Sequence, residues 1–230
     1  SEDINSSPRR EALVVCHVIG RHSLTQAFAE PKLVVGIGSS AGGLKALESF
    51  FSSFPAETGC CFIVTQHLSA DFKTISQEIL ERITDLPVVG AKDGMPLERA
   101  HIYLTPPRTL LAVQGGQFCL SARNESNLGR LTVNHLFQSL ANEYGAQAVG
   151  IVLSGGGSDG ADGARQIRSK GGLVLVQEPD TAEHDSMPRN ARPFAHRILQ
   201  PAEMPRVLSE LELPSKSAEN YDQEIVGPIT

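Results

Sequence analysis

Four short runs of consecutive apolar residues, each followed by a helical pattern, constrain the fold of this chain most. The runs are KLVVGI, CCFIVTQ, AVGIVLS and LVLVQ, which begin at residues 32, 60, 148 and 173. Strands that are apolar at nearly every position are buried on both faces of a sheet, and strands that alternate with helices form parallel sheets. We therefore predict an α/β fold with a doubly wound, mostly parallel sheet covered by helices on both faces.

One segment departs from this alternation. Residues 109–122, TLLAVQGGQFCLSA, contain two apolar runs on either side of Gly115-Gly116, a pattern typical of an antiparallel β-hairpin. The patterned sequence covers residues 31–213, which we predict to form one domain. Residues 1–30 are interpreted as a linker or an added edge element, and residues 214–230 as a polar tail or linker.

Composition argues against several classes of protein. The net charge of −6 and the pI of about 5.6 are not those of a nucleic-acid-binding domain. No apolar run approaches the roughly 20 residues of a membrane span, so no membrane insertion is expected. The four cysteines form no C-x-x-C pair, and Cys60-Cys61 lies within an apolar run. We therefore predict a cytoplasmic protein without a metal site, in which these two cysteines belong to the core.

Three of the apolar runs lead into residues that can carry chemistry. The first leads into Gly38-Ser39-Ser40-Ala41-Gly42, the second into His67, and the third into residues 155–160, which include Asp159. In a doubly wound sheet, ligands bind beyond the carboxyl ends of the strands. If the three strands are neighbours, a hydroxyl, an imidazole and a carboxylate meet at one edge.

The segment after the first run fits two motifs. Gly36, Gly38 and Ala41 match the dinucleotide pattern G-x-G-x-x-A, whereas Ser40 between two glycines matches the nucleophile pattern G-x-S-x-G. A nicotinamide-binding domain requires an acidic residue about 20 positions further on, and this chain has Gln66-His67 there. An imidazole is the base that a serine nucleophile needs. We favour the nucleophile and keep a dinucleotide-binding domain as an alternative.

Each candidate residue also has a purely structural interpretation. Ser39 is placed to cap the helix that follows it, and Asp159 precedes a helix that it could cap. His67 could simply end its strand. If Asp159 orients the histidine, Asp159→Asn is expected to melt like the parent and to be nearly inactive, because asparagine caps helices about as well as aspartate.

Five motifs, taken in order, carry a family resemblance: GIGSSAGGLKAL, VTQHLSADFK, KDGMPLERAHIYLTPP, VLSGGGSDGADG and QEPDTAEHDSMPRNA. Together they resemble the chemotaxis receptor protein-glutamate methylesterases over residues 32–213. The second motif is most similar to the esterase part of methylesterase–methyltransferase fusions. The resemblance implies that residues 31–213 are a catalytic domain.

The resemblance implies a Ser-His-Asp triad made of Ser40, His67 and Asp159. It implies hydrolysis of glutamate γ-methyl esters with release of methanol, deamidation of receptor glutamines as a further activity, and no cofactor. The oxyanion is expected to bind backbone amides of Ala41, Gly156 and Gly157. Expected partners are the methylated cytoplasmic helices of chemoreceptors, and a receiver or methyltransferase domain in the same or another chain.

The chain departs from the family pattern at a few positions. Ala41 stands where the family often has threonine, Gly156 lies in a run of three glycines that differs from the usual G-M-G or G-T-G, and Asn134 replaces a common aspartate. These departures leave a second hypothesis open: a catalytically silent module of the same fold that binds receptors or other partners.

Overall fold

The computed structural model describes residues 30–55, 57–66, 70–123 and 131–212. Within these ranges the strands are Leu33–Ser39 (β1), Cys60–Gln66 (β2), Val88–Gly90 (β3), His101–Leu104 (β4), Thr109–Gln114 (β5), Gln117–Ala122 (β6), Ala148–Val152 (β7), Leu173–Gln177 (β8) and Arg197–Leu199 (β9). The α-helices are Gly43–Phe51 (α1), Ala70–Ile83 (α2), Thr132–Tyr144 (α3), Ala161–Ser169 (α4), Ser186–Ala191 (α5) and Met204–Glu212 (α6).

Seven strands form one parallel sheet in the order β3-β4-β2-β1-β7-β8-β9. The chain builds the half on one side of β1 first and then crosses to β7 on the other side. The gap between the ends of β1 and β7 is therefore the switch point where doubly wound folds bind ligands. The predicted doubly wound α/β fold is confirmed.

Helices cover both faces of this sheet, which explains why its central strands are apolar throughout. The side chains of Val35 and Ile37 pack in the layer that contains α1 and α6, whereas Val34 faces the layer of α3 and α4. Cys60 and Cys61 are buried in opposite layers, which confirms their predicted place in the core. Among the residues described, no helix is both long and apolar enough to cross a membrane.

The predicted hairpin is also confirmed. Strands β5 and β6 pair antiparallel around Gly115 and Gly116, whose φ angles of 58° and 71° suit a two-residue turn that requires the left-handed region. The hairpin lies against α3, and the backbone N–H of Val113 donates to the hydroxyl of Ser139 on that helix.

Helix α3 packs directly against glycines of β1 and α4, where a larger residue would collide with its side chains. A Cβ added at Gly36 would lie 2.8 Å from Leu140 Cδ1, and one added at Gly38 would overlap the side chain of Val133. Gly163 on α4 allows the same approach, because a Cβ there would lie 2.5 Å from Phe137 Cβ. Close packing therefore accounts for the glycines that match a dinucleotide motif.

Candidate active site

Ser40 stands at the switch point, directly after β1. The Cα of Ser39 pairs with that of Gln66 across β1 and β2, so Ser40 and His67 are the next residues of two strands in register. On the other side, the N–H of Ser40 donates to the carbonyl of Ser154, 2.9 Å away, in the segment after β7. The structure thus joins the Ser40 turn to the segment that leads to Asp159. His67 lies outside the described residues.

The two adjacent serines differ in exposure. Ser39 is 0% exposed, and its Oγ has no hydrogen-bond partner among the described residues. Ser40 is partly exposed. The prediction that Ser39 caps α1 is wrong, because the N-cap of that helix is Gly42 and no side chain caps it. Of the two serines, Ser40 is the one with exposed surface.

The turn after Ser40 depends on Gly42. Its φ of 71° lies in the left-handed region, and a Cβ there would lie 2.6 Å from Glu183 Cβ and 2.7 Å from Ser154 Oγ. Within the described part of the chain, the N–H groups of Ala41 and Gly42 donate to no protein acceptor. Two amides without a protein acceptor, next to a partly exposed serine, can bind an oxyanion.

Asp159 is 2% exposed, and its carboxylate receives hydrogen bonds from the beginning of α3. The backbone N–H groups of Val133 and Asn134 donate to it at 3.0 and 2.9 Å, and Thr132 Oγ1 lies 3.4 Å away. The positive end of the α3 dipole therefore stabilises its negative charge.

The structural alternative, in which Asp159 caps the helix following it, is not what the structure shows. That helix, α4, has Gly160 as its N-cap and no hydrogen bond from a cap side chain. Asn134 supplies the acceptor instead, because its Oδ1 receives the N–H groups of Gly160 and Gly163 at 3.0 and 2.8 Å. The carboxylate of Asp159, just before α4, thus accepts N–H groups from the first turn of α3. Asn134, in that turn, accepts N–H groups from the start of α4.

In the glycine loop after β7, residues 155–157, the backbone of the first glycine is hydrogen-bonded and the other two glycines are exposed. The N–H of Gly155 donates to His184 O at 2.9 Å, and its carbonyl accepts from Met187 N at 2.9 Å. A Cβ at Gly155 would overlap Met187 Sδ and lie 3.0 Å from Ser40 Cβ. In contrast, Gly156 and Gly157 are exposed, and their amides have no protein acceptor among the described residues.

Sequence reasoning missed two buried polar residues beside this site, Ser154 and Gln177. The backbone N–H of Ser154 donates to Gln177 Oε1 at 2.8 Å, and the Gln177 Nε2 group donates to Thr181. Both residues lie inside motifs quoted above, but nothing in those motifs gives either residue a role, and the signal at each is a polar side chain at the end of an otherwise apolar run. Nowhere in the described ranges do three or more His, Cys, Asp or Glu side chains group to hold a metal ion.

A protein-family model described as CheB methylesterase matches residues 35–208. The chain belongs to the CheB methylesterase family. A solved CheB methylesterase structure, the catalytic domain from Thermotoga maritima, superposes with a TM-score of 0.73 at 27% identity. That match covers 78% of this chain and 98% of the other. The family resemblance predicted from the five motifs is confirmed.

Curated CheB relatives support the same assignment. A putative protein-glutamate methylesterase/protein-glutamine glutaminase of Leptospira interrogans is 31% identical over 67% of this chain and 81% of its own length. A protein-glutamate methylesterase/protein-glutamine glutaminase of Myxococcus xanthus is 34% identical over 70% of this chain and 48% of its own length. The chain therefore spans about half the length of some curated relatives.

Proposed function

We propose that this chain is a serine hydrolase that removes methyl groups from glutamate γ-methyl esters of chemoreceptors and releases methanol. The observation that carries the proposal is the partly exposed Ser40 at the switch point, next to amides without a protein acceptor among the described residues and tied to the segment that leads to Asp159. Family membership and the names of the curated relatives support the same reaction.

The proposed mechanism assigns one role to each residue. Ser40 Oγ attacks the γ-carbonyl of the ester while His67 accepts its proton, and Asp159 orients the imidazole and stabilises its charged form. The tetrahedral oxyanion binds the amide of Ala41, with the amides of Gly156 and Gly157 as further donors. His67 then gives its proton to the departing methanol.

Water completes the cycle. His67 accepts a proton from the water that attacks the carbonyl of the glutamyl-enzyme. The bond between Ser40 Oγ and the acyl carbon then breaks, His67 returns its proton to Ser40 Oγ, and the glutamate leaves. The same acyl transfer acts on a glutamine side chain if ammonia leaves in place of methanol, so we include receptor-glutamine deamidation. Every proton in this scheme moves between substrate, water and this chain's own residues, so the proposal needs no cofactor.

The proposed substrates are the methylated cytoplasmic helices of chemoreceptors, which places the enzyme in the cytoplasm. A receiver or methyltransferase domain, in the same or another chain, is the proposed further partner. The likeness to the esterase part of methylesterase–methyltransferase fusions stays a prediction.

Methanol release from methylated receptor helices tests the function directly. The parent is expected to release methanol, and Ser40→Ala to lose about 10³-fold or more in kcat, as other triad knockouts do. A serine-directed phosphonate should label the parent and not Ser40→Ala. If the parent is neither labelled nor active but still binds receptor helices, the silent-module hypothesis is the correct one.

A further inference from the structure

Ser154 is the buried centre of the hydrogen bonds around the nucleophile turn. It is 1% exposed, and its N–H, its carbonyl and its hydroxyl all form hydrogen bonds. Its carbonyl accepts the N–H of Ser40 at 2.9 Å, and its Oγ donates to the carbonyl of Ala41 at 2.9 Å. The same Oγ accepts the N–H of His184 at 3.0 Å. The carbonyl of His184 lies 3.3 Å from this Oγ, so the shorter bond, to Ala41, is the better one for its single proton. One residue thus holds the chain on both sides of the peptide that joins Ser40 to Ala41.

That peptide carries the amide on which the proposed oxyanion site depends. Its carbonyl, that of Ser40, accepts the N–H of Gly43 at 2.9 Å inside the turn. In a trans peptide the N–H points opposite to the C=O, so the N–H of Ala41 points away from the turn. Fixing the flanking groups fixes this direction, and the Ala41 N–H itself stays unpaired within the described structure.

We infer that Ser154 is a positioning residue of the reaction, whose hydroxyl aims the Ala41 amide at the oxyanion. This inference rests on the proposed function. Oxyanion stabilisation depends on donors that are oriented before the reaction begins, because reorganising them during it costs activation energy. A loss of this kind weakens binding of the transition state and leaves binding of the substrate nearly unchanged.

Gln177 supports Ser154 from β8. It is 3% exposed, and its Oε1 fixes the Ser154 backbone, while its Nε2 lies 3.2 and 3.3 Å from the carbonyl and hydroxyl oxygens of Thr181. Thr181, in the segment that follows β8, is thereby connected to the nucleophile turn through the buried residues Gln177 and Ser154. Such networks keep one geometry when every member is satisfied.

Ser154→Ala is the test, with Ser139→Ala as the matched control. Ser139 also accepts one backbone N–H, from Val113, and donates to one carbonyl, that of Leu136, but it lies on the hairpin side of α3. For both variants, kcat and KM for methanol release are measured per folded enzyme. A peptide boronic acid measures the affinity for a tetrahedral adduct of Ser40.

Removal of one oxyanion donor lowers kcat by about 10²–10³-fold, so misorienting a donor should cost less, about 10–100-fold in Ser154→Ala. We expect KM to stay within about twofold, and boronate affinity to fall in proportion to kcat/KM. The control should keep the parent's kcat and boronate affinity. If Ser154→Ala does not fold, Ser154→Cys, whose slightly larger S–H group is a weaker donor, should lower kcat and boronate affinity in the same direction.

The inference is wrong if Ser154→Ala keeps the parent's kcat and boronate affinity, or if only KM changes. It is also wrong if Ser139→Ala loses as much kcat, because then any bridging serine would matter. Failure of the proposed function looks different: the parent releases no methanol. If that parent still binds the boronate, and more tightly than Ser154→Ala does, the positioning role stands without the methylesterase.

Discussion

Ser39 and Ser40 are adjacent residues with different environments, and substitution should separate them. Ser39→Ala removes a buried hydroxyl that has no partner in the described structure, so it removes a desolvation cost without breaking a hydrogen bond. We expect an unchanged or higher melting temperature and a kcat/KM within about twofold of the parent. Thermal melts and methanol release measure both. An inactive Ser39→Ala beside an active Ser40→Ala would reverse the assignment of the nucleophile.

Asp159→Asn should be both inactive and less stable. The carboxylate accepts N–H groups at both oxygens, but asparagine has only one acceptor and would turn an NH2 group towards a backbone N–H. We expect a loss of about 1–3 kcal/mol in the free energy of unfolding. We also expect a loss of about 10⁴-fold in kcat, by analogy with triad aspartates. This revises the expectation from sequence that the variant melts like the parent.

Asp162→Asn is the control for Asp159→Asn. Its side chain, in the first turn of α4, is 72% exposed and pairs with exposed Arg165, so urea unfolding and kcat should stay close to those of the parent. If Asp159→Asn keeps the parent's stability, the carboxylate does not support α3. If it keeps the parent's turnover, Asp159 is a structural residue and the catalytic histidine needs another partner.

Among the elements, β1 and α3 depend on each other through Gly38. Gly38→Ala would place a methyl group on the side chain of Val133 and should destabilise the fold by about 1–3 kcal/mol. Val133→Ala in the same chain should recover part of this loss, because it vacates the space that the methyl needs. Urea unfolding of the two single variants and the double variant measures the coupling. Additive losses would mean that α3 moves away from the sheet instead.

The edge strand β9 makes the stability of the fold depend on pH. His196 precedes this strand, and its Nδ1 accepts the N–H of Val174 at 3.0 Å, which requires an unprotonated nitrogen. Desolvation and the nearby Arg168 lower the pKa of His196, so the folded state favours the neutral ring. This contribution to stability is complete above the unfolded pKa of about 6.5 and is lost as the pH falls through the lower folded value.

His196→Asn tests this dependence, because an amide oxygen can accept the same bond and does not titrate. Urea unfolding at pH 7.5 and pH 5 should show a smaller loss of stability in His196→Asn than in the parent. Equal losses in the two proteins would assign the pH dependence to other groups. His101→Asn is a suitable control, because His101 accepts no backbone N–H in the described structure.

At the scale of the whole molecule, we propose that residues 31–213 fold as one catalytic domain. Near its start, Lys32 donates its N–H to Gly59 O at 2.8 Å, and near its end α6 buries Met204 and Leu208 completely. A chain trimmed to these residues should keep its melting temperature within about 3 °C and its kcat/KM within about twofold. A large loss of either would show that the removed segments belong to the domain.

Trimming further, to residue 203, is the contrasting experiment. Removal of α6 deletes three apolar side chains from the core layer that also contains α1. They are Met204, Val207 and Leu208. Each contributes about 1.5–3 kcal/mol by burial, so their sum approaches the total stability of an ordinary domain. We expect this shorter chain to lose cooperative unfolding. A cooperative melt would mean that α6 is dispensable.

Sequence could predict the central strands and the hairpin because their signals are local. Continuous apolar runs mark β1, β2, β7 and β8, and the two glycines at 115 and 116 mark the turn between β5 and β6. Sequence did not predict β9, a three-residue strand at the edge of the sheet that pairs with β8, or α5, a helix of six residues. Elements so short carry too little periodicity to be distinguished from loops.

The candidate site divides in the same way. Ser40, His67 and Asp159 could be selected because each follows an apolar strand, a rule that needs only the fold class. The assignment of Ser39 as a cap was wrong, and the alternative of Asp159 as a cap pointed to the wrong helix, because capping was sought within three or four residues. Asp159 instead reaches the helix that begins 27 residues earlier, and Asn134 reaches back to α4. Contacts at such separations depend on how α3 and α4 pack, and no local pattern encodes that.

The glycine surface beneath α3 has a consequence for how the family can diverge. At positions 36, 38 and 163 the backbone meets bulky side chains of α3 directly, so a larger residue can be inherited at one of them only after the facing side chain becomes smaller. Among descendants, positions 38 and 133 should therefore vary as a pair, with the sum of their side-chain volumes nearly constant. Val133 also donates its N–H to Asp159, so a change of this pair that shifts the first turn of α3 would also shift Asp159. Such a lineage should lose enzymatic activity before it loses solubility.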